Sequence, residues 1–159
     1  MDYFQGVVTN YLRASRSTFV NTEFLIQLDA GDKQLKDRHW YCDAMAVDFK
    51  KKTVYLCEIT YSATMQALLT RLREWQTHWD ELSRALMRDS GVPQDWTVHP
   101  WVFIPKKNHP AFTKKLSEFK GPPSTGLQMP SPRVTYLESV VPWQYSTWDR
   151  KNDAIAPDP

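Results

Sequence analysis

The chain has only two cysteines and five glycines in 159 residues, and it has no apolar run long enough to cross a bilayer. Each scarcity removes a class of protein. Two cysteines are too few for a disulfide scaffold, and neither they nor the four histidines have the spacing of zinc ligands. Cys42 and Cys57 both sit in apolar, strand-like runs where a thiol behaves as a small hydrophobe, so reduced core residues and a cytoplasmic setting are expected, with a cross-strand disulfide as the alternative. The longest apolar stretches, Val54 to Tyr61 and Trp101 to Ile104, fall far short of the roughly 20 residues of a spanning helix, and the N-terminus lacks a basic-then-apolar signal pattern. No membrane partner is expected. A strong charge of one sign is missing too: the net charge is +2 and the pI near 8.5, which permits contact with nucleic acid without arguing for it. No glycine-rich phosphate loop or Ser/His/Asp arrangement can be named, which sets aside nucleotide-loop proteins and hydrolytic triads.

What remains is a globular composition, 42% hydrophobic and 24% charged with seven tryptophans, on a chain about the size of one domain. Residues 1–141 read as a single α/β domain and 142–159 as a tail, partly disordered towards its polar end. Phe4, Val7, Val8, Tyr11 and Leu12 recur at three- and four-residue spacing, which predicts an opening helix. A strand over 19–28 follows, ending in the turn signal Asp29-Ala30-Gly31-Asp32. Strands over 40–47 and 53–61, joined by Asp48-Phe49-Lys50-Lys51-Lys52, form an antiparallel hairpin. Met65, Leu68, Leu69, Leu72, Trp75, Trp79, Leu82 and Leu86 keep helical spacing over roughly six turns, until Ser90-Gly91 and Pro93 stop it. The run 98–104 is apolar on both faces, as suits a buried strand parallel to the one before the helix. Pro110 starts a shorter helix carrying Phe112, Leu116 and Phe119, and 133–141 adds a last strand.

Two acids stand out against this pattern. Glu58 lies inside Val54-Tyr55-Leu56-Cys57-Glu58-Ile59-Thr60-Tyr61, and Asp43 inside the partner strand, each among apolar neighbours. Burying such a charge costs several kcal/mol unless a cation or donor compensates. One divalent cation shared between the strands would compensate both, since Mg²⁺ takes one or two carboxylates, a carbonyl and several waters, a set that Asp43, Glu58 and the carbonyl of Ile59 supply. A structural pair neutralised by Arg or Lys is the alternative.

Asp43, a hairpin later Glu58-Ile59-Thr60, and then a long helix resemble the PD-(D/E)XK nuclease superfamily over residues 3–105. The resemblance implies a restriction-endonuclease-like αβββαβ core, a central mixed sheet flanked by helices. It also implies Mg²⁺- or Mn²⁺-dependent hydrolysis of phosphodiester bonds in DNA, with Asp43 and Glu58 as metal ligands. The family's third position is usually a lysine that stabilises developing negative charge, and here it is Thr60, whose hydroxyl can hold a water but brings no cation. Lys52, Arg71 and Arg73 are the nearby replacements, and the same three are candidate nucleic-acid contacts. Glu23 in the first strand is a candidate extra ligand, against an exposed strand-edge acid. Gln66, early in the long helix, is a candidate phosphate or water contact, against a solvated position. A basic surface from Arg71, Arg73, Arg84, Arg88, Lys106, Lys107, Lys114 and Lys115 is diluted by Glu74, Asp80 and Glu81. The missing lysine also admits an inactive relative that binds nucleic acid, or binds a protein or second copy of itself through the Trp143, Tyr145, Trp148 tail.

Overall fold

The computed structural model describes residues 2–31, 38–121 and 125–147. Helix α1 (Tyr3–Arg13) precedes three strands, β1 (Thr18–Gln27), β2 (His39–Asp48) and β3 (Thr53–Ile59). Helices α2 (Gln66–Thr77) and α3 (Trp79–Ser90), strand β4 (Thr97–Ile104), helix α4 (His109–Ser117) and strand β5 (Arg133–Tyr136) follow, and short 3₁₀ turns end the described chain. The five strands lie in sequence order in one mixed sheet. β1, β2 and β3 are antiparallel neighbours, whereas β3, β4 and β5 run parallel, so the chain crosses over the sheet on either side of β4. The expected α/β class and strand directions are therefore present. Among the described residues no helix is long and apolar enough to cross a membrane.

Alternation along the strands splits the core in two. Val54 and Leu56 of β3 with Val102 and Ile104 of β4 pack against Leu72, Trp75, Trp79, Leu82, Leu86 and Phe112, which seats α2, α3 and α4 on one face. Ala44, Ala46, Tyr55, Cys57, Trp101 and Phe103 point the other way, against Val8 and Leu12 of α1 and against Leu137 and Val140 after β5. Both cysteines are buried free thiols, and burial pushes both well above their ordinary range.

Three expectations change. The long helix is two helices, broken at His78 (φ −112°, ψ 21°), although its apolar stripe runs through the break. Thr77 supplies a cause, because its hydroxyl donates to the carbonyl of Arg73 four residues back, a bond that bends helices. The last strand stops at Tyr136 because the chain turns into a 3₁₀ segment at Leu137–Ser139, and β3 stops at Ile59, two residues early. In the first part of the tail Pro142–Gln144 forms a turn and the Tyr145 ring sits edge-on to Tyr11 at 5.3 Å. Trp143 is exposed, while Trp148 and the end of the tail expected to be disordered fall outside the described residues.

Candidate active site

The β2–β3 ladder is paired from Asp48↔Thr53 to Ala44↔Cys57, and Asp43 and Glu58 are the next residues along, at the end remote from the hairpin turn. Because facing residues in an antiparallel pair project together, this register brings the two acids to one place. Burial first, and then the charge of Asp43, push the Glu58 carboxyl up to about 8, against the pull of Arg71, so Glu58 is the acid of the pair that keeps its proton near neutral pH. Asp43 is raised less, because burial is opposed by the Ile59 amide and by Arg71.

Each acid is held from a different layer. Oδ2 of Asp43 accepts the backbone N–H of Ile59 at 2.8 Å, and Oδ1 accepts from Nε2 of Gln5 in α1 at 3.0 Å. Gln5 is fixed in turn by a capping box, in which its N–H donates to Asp2 Oδ1 at 2.8 Å and its Oε1 accepts from the Asp2 N–H at 3.1 Å. On the opposite side Arg71 of α2 donates to Glu58 Oε1 at 2.8 Å and also to the carbonyl of Tyr41. Burial alone would lower the Arg71 guanidinium, yet Glu58 and Asp43 hold it above its ordinary range. Two acids, the proton kept by Glu58 and one guanidinium thus sum to zero charge near neutral pH.

The other sequence candidates divide. Arg71 stands in the site, as the basic group that α2 brings to Glu58. Arg73 does not: two residues on, it projects from the other side of the helix with its guanidinium 4.7 Å from the Phe119 ring centroid. Lys52 is in the hairpin turn, about 20 Å from Glu58 along β3, and has a left-handed backbone (φ 50°). Thr60 lies beside the acids in sequence, but its hydroxyl accepts the N–H of Ser62 at 3.1 Å, which ties it into a local turn. Gln66 is exposed and makes no hydrogen bond to either acid. Glu23 is exposed on the outer strand, at the one gap in the β1–β2 ladder, between Thr22↔Ala44 and Phe24↔Cys42 and therefore facing Asp43. Its φ of 53° accounts for the interrupted pairing. Of the suggested basic surface, Arg84 pairs with Asp80 and Arg88 with Asp89, so those charges are largely spent.

Sequence reasoning missed Gln5. Its signal was present as Asp2-x-x-Gln5 ahead of an apolar helix, the pattern of a capping box, although the second bond to Asp43 has no local signature. Among the described residues no third His, Cys, Asp or Glu joins the pair to make a three-ligand cluster. Two carboxylates beside a strand-end carbonyl still form a hard, all-oxygen donor set of the kind Mg²⁺ accepts when water completes it. No protein-family model, curated protein or solved structure matches the chain.

Proposed function

We propose that the chain is a divalent-metal-dependent nuclease of DNA on the restriction-endonuclease-like plan, with Asp43 and Glu58 as its metal-binding acids. The reading rests on one observation: two acids from neighbouring strands meet in a largely buried place beside a single guanidinium, which balances only one of them and leaves Glu58 holding a proton to about pH 8. A divalent cation would displace that proton and neutralise both acids at once. Asp43, Glu58 and the carbonyl of Ile59 would hold Mg²⁺ or Mn²⁺, and such an ion acidifies water and offsets phosphate charge. The residues of the chain supply the rest. Gln5 and the Ile59 amide fix the direction of the Asp43 carboxylate, and Arg71 brings the positive charge that Thr60 lacks to within 2.8 Å of Glu58. An arginine there can stabilise charge growing on a phosphate, as the family's lysine does. The order helix, three strands, helix, strand supports the same plan.

A second reading, a catalytically inactive relative acting as a binding module, is favoured by that same Arg71 contact, since a guanidinium already neutralises Glu58. Two measurements separate the readings. Supercoiled, linear and single-stranded DNA are incubated with Mg²⁺ or Mn²⁺ beside a Glu58→Ala control; metal-dependent cutting absent from the control is expected. Calorimetry in buffers of different ionisation enthalpy should show a proton released per Mg²⁺ bound near neutral pH, with affinity rising towards pH 8. Neither cutting nor ion binding would leave the binding module.

A further inference from the structure

On the α1 face of the sheet, towards the β2–β3 hairpin, a cleft of about 450 Å³ is lined by Tyr11, Tyr55, Trp101, Arg133, Lys50 and Lys51 among others. It is separate from the acids: Tyr55 packs with the α1-side core, three residues before Glu58, which turns to α2. Arg133 is its central feature. β5 sets Arg133 beside Trp101 in register, and the guanidinium lies 3.9 Å from the Trp101 ring centroid and 5.7 Å from that of Tyr55. Arg38, Arg71, Arg84 and Arg88 each hold a carboxylate, but among the described residues nothing accepts a hydrogen bond from the Arg133 side chain. The ammonium groups of Lys50 and Lys51 make no ion pair among those residues either.

Asp48 is the one acid lining the cleft among the described residues. It is buried, and its Oδ1 accepts the backbone N–H groups of Lys50 and Lys51, both at 3.0 Å. Three cations therefore face one acid. The last turn of α1 brings carbonyls to the same place, which opposes an anion, and Arg13 in that turn counters it. His99, whose ring is 6.2 Å from that of Tyr55, is held below its ordinary range by burial and then by the charge of Arg133.

A guanidinium with free N–H groups beside two ammonium groups suits a phosphate, the guanidinium by two-pronged bonding and the lysines as point charges. Flat groups at the same cleft suit a base: the Arg133 plane already stacked on Trp101, and Tyr11 set against Tyr145. We propose that this cleft binds a nucleotide, its phosphate held by Arg133, Lys50 and Lys51 and its base laid against the guanidinium and tyrosine planes. Binding here requires no metal and does not depend on the carboxylate site.

The test is fluorescence anisotropy of a labelled oligothymidylate in EDTA at low salt, with competition by thymidine monophosphate, inorganic phosphate and a phosphotyrosine peptide. The wild-type chain should bind, and Arg133→Gln and the double change Lys50→Gln with Lys51→Gln should each weaken binding about tenfold. Thymidine monophosphate should compete better than inorganic phosphate. The lysine pair lies on an exposed turn, so its result stands even if loss of the Arg133 stack disturbs folding. Absence of wild-type binding, an unchanged affinity in the lysine pair, equal competition by bare phosphate, or stronger competition by the phosphopeptide would each overturn the proposal.

Discussion

Glu58 is where chemistry and stability meet. Its carboxyl is buried and keeps its proton to about pH 8, well above an unfolded glutamate near 4.5, so the native state binds the extra proton. The contribution of this group to stability is full below about pH 4.5 and is lost as pH rises through 8. Asp43, also raised, acts in the same direction. Denaturant midpoints of the wild-type chain should therefore fall between pH 5 and pH 9 by the equivalent of a few kcal/mol, whereas Glu58→Gln, which cannot ionise, should flatten most of that slope. A slope unchanged by the substitution would show that Glu58 is not the titrating group. Glu58 and Asp43 were legible as misfits in apolar runs. That Arg71, and not Arg73 or Lys52, meets Glu58 was not, because the choice depends on the rotation of α2 against the sheet, which no local pattern specifies.

At the level of elements, what could be read was what is local. Alternation over β2 and β3 and the stripe from Leu68 to Leu86 have sequence signatures, and those elements stand where the periodicity puts them. The break at His78 was illegible, because the stripe continues through it and only a side-chain bond to the Arg73 carbonyl marks it. The end of α3 was legible and is testable. Gly91 closes it in the left-handed conformation (φ 70°), and a Cβ added there would meet nothing within 4 Å. Gly91→Ala should thus cost about 1 kcal/mol through backbone strain alone, seen as a melting temperature several degrees lower, and Gly91→Asn should cost less. The Arg133–Trp101 stack joins residues 32 positions apart through a parallel pairing, so nothing near either residue announces it.

Across the whole molecule the two cysteines report on cooperativity. Cys42 lies in the core against α2 and α3, Cys57 in the core against α1, and both are buried and held protonated. A thiol reagent should find neither group in the native protein and both in denaturant, with the two reacting over one shared transition if the layers unfold together. Early reaction of Cys57 alone would mean that α1 detaches first. The left-handed turn of backbone at Glu23 bears on how the protein keeps to itself. β1 is ten residues long and outermost in the sheet, the kind of border a stray strand from another chain can zip onto. An added strand would meet at residue 23 the same missing rung that β2 meets there, a break in the row of amides and carbonyls on offer at this border.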